Sequence, residues 1–285
     1  MVRRPERSPL AERVPAGAGP VRGPGRSEYP TAQHARAAAA TTAFFRGRAD
    51  IQAVLLVGSC ARGKATADSC LDLAVLVDPG LSPAGREALA GEWRAWRDKE
   101  PTLLEMGAVG RYAHVDLDLT DGRFAPEPRG WTSGPDSFEL EIGNLLVYGE
   151  PLWEGADYLQ LLKRQWLPYY AETLRRERLA AVRRYCLNNL DHIPLFVRRG
   201  LYFQAFHRLC DAFQEFLQAL FIARRTYPIA YDKWIREQVV EILGEPEVYR
   251  ELTRLLAVPS VESRAVARRA RRLGQLLEIH APDPG

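Results

Sequence analysis

Two short apolar runs constrain this chain more than any other feature. They are Ile51-Gln52-Ala53-Val54-Leu55-Leu56-Val57 and the stretch Leu71 to Val77, and Gly58-Ser59 follows directly on the first. Each run is short, aliphatic and rich in Val and Ile or Leu, which reads as a buried strand. A chain with two such strands must build a sheet and cover both of its faces. The flanks offer the cover. Thr31 to Arg48 is Ala-rich with good helix formers and predicts a helix. Pro83 to Asp98 predicts another, with Ala84, Ala88, Leu89, Trp93 and Trp96 near helical spacing. Met106 to Leu119 reads as a third strand, because His114 to Leu119 alternates at period two. Residues 122–137 are crowded with Gly, Pro, Trp and Ser and predict a loop.

After about Pro151 strand patterns disappear. Helical segments are expected at roughly 157–181, 183–197, 201–225, 231–243, 246–256 and 261–278. Phe206, Leu209, Cys210, Phe213, Phe216, Leu217 and Leu220 follow the three-four spacing of a packed helix. The chain is therefore expected to be α+β, with a sheet-containing part at 29–150 and a helical part at 151–280.

The first 28 residues read differently. Residues 1–27 hold six Arg against two Glu, a charge of +4, which leaves the rest of the chain at −1 out of a total of +3. This Pro/Gly/Arg-rich tail has no apolar periodicity and is expected to be disordered. A body without surplus charge does not favour nucleic acid as a partner. The longest apolar runs fall far short of a membrane span. Cys60, Cys70, Cys186 and Cys210 form no C-x-x-C pair, so free thiols in a reducing cytoplasm are the simplest expectation.

One segment carries chemistry. Leu56-Val57-Gly58-Ser59-Cys60-Ala61-Arg62-Gly63 leads through Lys64 and Asp68 to Cys70-Leu71-Asp72-Leu73. A glycine at the turn lets a ligand approach the backbone closely. A Ser hydroxyl and the N–H groups of a helix start suit a phosphate. Strand alternation puts residues 70 and 72 on one face and Leu71 and Leu73 on the other. Asp116 and Asp118 likewise share a face of the third strand. Carboxylates from two strands facing a Gly-Ser turn would make an oxygen cage for Mg²⁺ and a triphosphate.

This segment resembles the nucleotidyltransferase signature of the DNA polymerase β superfamily: a Gly-Ser turn, a spacer, Asp-x-Asp, and one more Asp on a later strand. Gly58-Ser59-x-Ala61-Arg62-Gly63 is especially similar to the small prokaryotic branch of antibiotic and minimal nucleotidyltransferases. Tyr227-Pro228 to Lys233-Trp234 also resembles a region of some of these relatives. The resemblance implies a mixed-sheet core followed by an all-helical C-terminal domain. It implies that Gly58 and Ser59 bind phosphates, with Arg62 and Lys64 as neutralising cations, although a solvated loop charge is the plain alternative for both. It implies Asp72 as one metal-binding carboxylate. Asp116 would be another and would activate the acceptor hydroxyl, with Asp118 as the competing assignment. The implied reaction is Mg²⁺-dependent transfer of AMP from ATP to a hydroxyl of a small molecule or a protein.

The chain departs from the pattern at Cys70, where the family has its first Asp. Mg²⁺ prefers oxygen ligands, and a thiol is a poor substitute. An active enzyme would draw the missing oxygen from Asp68, Asp72, Asp116 or Asp118, or carry Cys70 as a variant of an otherwise working site. Otherwise the chain is a pseudoenzyme that binds a nucleotide or, like an antitoxin, another protein.

The remaining polar positions have plainer expectations. Glu139 and Glu141 would line an acceptor pocket or be solvated. His207 and Trp234 are expected to be packed. The Arg264, Arg268, Arg269, Arg271 and Arg272 run is expected to be a solvated face.

Overall fold

The computed structural model describes residues 29–124 and 128–285. The tail at 1–28 therefore lies outside the described residues, as do three positions of the loop at 122–137.

The chain opens with helix α1 (Ala32–Phe45), whose Thr31 side chain accepts from the His34 N–H and caps it. Strand β1 (Ile51–Leu56), the one-turn helix α2 (Gly58–Ala61) and strand β2 (Leu71–Val77) follow. Helix α3 (Pro83–Arg97) starts from a Ser82 cap with Pro83 in its first turn. A short α4 (Pro101–Leu104) leads into a 3₁₀ turn (Glu105–Ala108) that occupies the start of the stretch expected to be strand. Strand β3 begins only at Val115 and ends at Thr120. Pro101 favours a helix start, and period-two alternation begins only at His114.

The sheet has the order β3-β2-β1-β4. β1 runs antiparallel to β2 and to β4 (Glu150–Glu154), whereas β2 and β3 are parallel, so the sheet is mixed. β4 corrects the expectation that strands end at about Pro151. It is short and carries Pro151, which an edge position tolerates and a central strand would not.

Both faces of the sheet are covered. Leu71, Leu73, Val75 and Val77 pack with α1 and α3, where Phe44, Phe45, Trp93 and Trp96 form a continuous aromatic cluster. Ala53, Leu55, Ala74 and Leu76 pack on the other face against α5 (Phe138–Ile142), the π-type turn Gly143–Val147 and α6 (Tyr158–Trp166). Burial on both faces is why β2 reads as an unbroken apolar run from Leu73 to Val77, after Asp72 at its site end.

The helix expected over 157–181 is divided. α6 stops at Trp166, because Pro168 has no N–H to continue it. α7 (Glu172–Arg198) then runs unbroken past residue 182. It forms a hairpin with α8 (Tyr202–Ala223), against which α9 (Pro246–Leu256) and α10 (Ala265–His280) complete an apolar core. In place of a helix from 231, residues 227–234 run irregularly into a π-type turn at Glu237–Ile242. His207 is exposed on α8, which corrects the expectation that it is packed. Among the described residues no helix is long and apolar enough to cross a membrane.

Candidate functional site

The site grows out of the β1–β2 connection. The Val57 N–H donates to the Asp72 carbonyl across 3.0 Å, which pins the end of β1 to the start of β2. Gly58 then turns with φ +65°, in the left-handed region where a side chain is strained. A Cβ there would sit 2.0 Å from Asp72 Oδ2. Position 58 must be glycine for both reasons, and the Asp72 carboxylate fills the space that its missing side chain leaves.

Asp72 lies opposite Asp116 in the parallel β2–β3 register, and Ala74 lies opposite Asp118. The Cys70 thiol, one residue before β2, projects to the same side as Asp72. One ligand atom from each of Cys70, Asp72 and Asp116 lies within 4.8 Å of the other two. Asp116 is exposed, with His114 Nε2 3.1 Å from its Oδ1. Of the two aspartates on β3, Asp116 joins this cluster. Asp118 lies one step further along the strand, and both aspartates line a cavity of about 410 Å³ with Arg86, Arg94 and Arg97. Asp68 is elsewhere, where its carboxylate accepts from the Arg111 N–H at 3.2 Å.

The cluster holds Cys70 as a thiol. Burial is the largest influence, followed by the hydrogen bond to Asp72 and the charges of Asp72 and Asp116, and together they push it up to about 12. Cys60, beneath the turn, is raised to about 11 by burial and by Asp72. Its Sγ–H donates to the Cys70 carbonyl at 3.7 Å.

α2 is only four residues long, so it has no macrodipole to offer a phosphate. What the turn can give is the Ser59 hydroxyl and individual N–H groups. The two cations of the loop are engaged elsewhere. Arg62 Nη1 donates to the Gly58 carbonyl at 2.8 Å, and its Nε pairs with Glu237 at 3.1 Å in an almost fully buried contact. Trp234, at φ +59°, lies over the same guanidinium at 5.2 Å. Lys64 pairs with Glu241 at 2.9 Å in a half-exposed contact. Glu237 and Glu241 both come from the π-type turn, so Arg62 and Lys64 clamp the Gly-Ser turn to the helical half of the chain. Nothing in the local sequence marks Glu237 or Glu241 as partners of residues so far upstream.

A second polar centre was not visible in the sequence. Glu139, expected to line a pocket or be solvated, is fully buried and accepts from Arg178, Tyr170 and Gln218. Gln218 also donates to Asp136 at 2.7 Å. Nearby, the buried Glu215 accepts from Asn189 and Arg129, yet burial outweighs both donors and pushes its carboxyl up to about 7. A cavity of about 350 Å³ opens between Arg129, Arg178, Tyr185 and Gln218. The available signal was charge on an apolar stripe: Arg178 lies one turn before Val182 on α7, and Glu215 lies between Phe213 and Phe216 on α8.

A solved structure of a nucleotidyltransferase-like protein from Exiguobacterium sibiricum 255-15 is similar to this chain at 15% identity and a TM-score of 0.44, over 86% of this chain and 76% of that one. No protein-family model and no curated protein matches the chain. At this level of similarity the chain's own residues carry the functional argument.

Proposed function

We propose that this chain binds a nucleoside triphosphate at the Gly58-Ser59 turn and transfers a nucleoside monophosphate, AMP from ATP, to a hydroxyl of a small molecule or a protein. One observation carries the proposal: Asp72 and Asp116 stand opposite each other in register, directly beside a turn that only glycine can make. The Ser59 hydroxyl and the backbone of the turn hold the phosphates, and a glycine at 58 lets them come close. Asp116, exposed at the sheet edge, accepts the proton of the acceptor hydroxyl. The acceptor oxygen forms a bond to the α-phosphorus, the bond to the β-phosphate oxygen breaks, and pyrophosphate leaves with that electron pair. Positioning the two reactants in line is the larger part of what such a site contributes.

The resemblance implies Mg²⁺. The donor set does not match it well, because a thiol at Cys70 stands where a hard cation needs oxygen.

The same observation favours a second reading, in which the chain is catalytically impaired and acts as a nucleotide-binding or antitoxin-like regulatory protein. The engagement of Arg62 and Lys64 with Glu237 and Glu241 supports that alternative, since both cations are already paired. In both readings the chain works in the cytoplasm.

Calorimetry with ATP on the full chain, with and without divalent cation, together with an assay for pyrophosphate release, tests the proposal. ATP binding that falls in Ser59→Ala, with turnover in the wild type, is the expected result. Binding without turnover, with turnover appearing in Cys70→Asp, would establish the regulatory reading. Absence of nucleotide binding would remove both.

A further inference from the structure

We infer that Cys70, Asp72 and Asp116 form a mixed thiolate–carboxylate centre that takes a thiophilic divalent cation, Zn²⁺, in preference to Mg²⁺. The three donors come from two adjacent strands and already converge within 4.8 Å. A tetrahedral Zn²⁺, with oxygen ligands at about 2.0 Å and sulfur at about 2.3 Å, needs them about 3.3–3.8 Å apart. The widest gap therefore has to close by only about 1 Å, within reach of a rotation of the exposed Asp116 side chain. Asp72 is held in place by the glycine turn above it.

Charge supports the same conclusion. Two carboxylates opposite each other on neighbouring strands repel. Among the described residues, the cations of the adjoining loop are committed elsewhere, Arg62 to Glu237 and Lys64 to Glu241. The His114 imidazole lies against Asp116, while Arg86, Arg94 and Arg97, which line a cavity with Asp116, pair with Asp121, Glu87 and Asp98. A dication would supply the missing positive charge. Three protein ligands leave a fourth position open for water or a phosphate oxygen, the arrangement of a zinc site that binds a further ligand. Sulfur decides the selectivity. A thiolate donor favours Zn²⁺ or Co²⁺ over Mg²⁺, which holds to oxygen and sheds water reluctantly. On binding, the metal–sulfur bond replaces the S–H bond and the proton passes to solvent.

The inference deepens the proposed function by naming the cation of the same cluster, but its test reads metal alone. The full chain is titrated with Co²⁺ as a spectroscopic stand-in for Zn²⁺, and the thiolate-to-cobalt charge-transfer absorption is followed. The expected result is a band that saturates at one Co²⁺ per chain. It should persist in Cys60→Ser, disappear in Cys70→Ser, and need about 100-fold more Co²⁺ in Asp72→Asn. Zn²⁺ abolishes it, whereas about 100-fold excess Mg²⁺ does not. Circular dichroism and thermal unfolding of Cys70→Ser, matching the wild type, show that the variant is folded. No band in the wild type, a band that survives Cys70→Ser, or displacement by Mg²⁺ would overturn the inference. A chain that gives the band without binding ATP keeps the metal centre and loses the nucleotide reading. ATP binding without the band does the reverse.

Discussion

Replacing Gly58 by Ala tests the site's geometry with a built-in control. Gly58 and Gly63 stand at the two ends of the same one-turn helix with nearly the same backbone, φ +65° and +67°. Forcing an Ala into that left-handed region costs about 1–2 kcal/mol at either position. Their surroundings differ. A Cβ at Gly63 meets nothing within 4 Å, whereas a Cβ at Gly58 would lie 2.0 Å from Asp72 Oδ2, 2.8 Å from its Cγ and 3.0 Å from its Cβ. The clash involves the whole short side chain, so Asp72 must change rotamer and give up its contact with Cys70. That kind of overpacking adds about 1–3 kcal/mol. Gly63→Ala is therefore expected to cost about 1–2 kcal/mol and Gly58→Ala about 2–5 kcal/mol. Urea unfolding of both variants beside the wild type reads the difference from the midpoints at constant slope. Costs equal to within about 0.5 kcal/mol would refute the close approach of Asp72 to the turn, and with it the site built on that approach.

The clamp between the turn and the helical half makes two further predictions. Removing either partner of the nearly buried Arg62–Glu237 pair should cost about 3–5 kcal/mol, and the double variant should cost clearly less than the sum in a thermodynamic cycle. The half-exposed Lys64–Glu241 pair should contribute less than about 1 kcal/mol and lose that in high salt. Glu215 predicts a pH dependence. Its folded value of about 7 lies above the ordinary carboxylate range, so the ionised group destabilises the fold. Stability should be highest at acid pH as far as this group is concerned. It should fall by about 3 kcal/mol as pH rises from about 4.5 to 7, then level off. Glu215→Gln should flatten that part of the profile in unfolding measurements from pH 5 to 8. A wild-type profile with the same slope as the variant would contradict it. Ser59→Ala should weaken ATP binding measured by calorimetry by roughly tenfold, the equivalent of one hydrogen bond to a charged group.

Which parts of this molecule its sequence disclosed follows from where the physics is local. β2 was legible to the residue, because burial on both faces leaves Leu71 and an unbroken Leu73–Val77 run around the single polar Asp72. β1 was nearly so. β4 was hidden, because an edge strand of five residues with Pro151 and a glutamate at each end satisfies no pattern that a buried strand must. The break at Leu167 was signalled by Pro168 and was overridden by the apolar periodicity on either side. In the site, strand alternation placed Cys70 with Asp72, and Asp116 with Asp118, on shared faces. Choosing Asp116 needed the β2–β3 register, which no local pattern encodes. Arg62 and Lys64 were visible as cations beside a turn, but their carboxylate partners lie in a segment brought in by tertiary packing. Glu139 was misplaced for the same reason. A buried glutamate is legible only through its distant Arg178 and Gln218.

In the proposed reaction a nucleotide's phosphates rest on the Gly58-Ser59 turn facing Asp72 and Asp116. A crystal structure of the full chain with a non-hydrolysable ATP analogue measures this most directly. The expected map places the triphosphate against Gly58 and Ser59, with the α-phosphorus next to Asp72 and Asp116. Analogue density in any other part of the molecule, with the turn unchanged, would rule out nucleotide binding at this site.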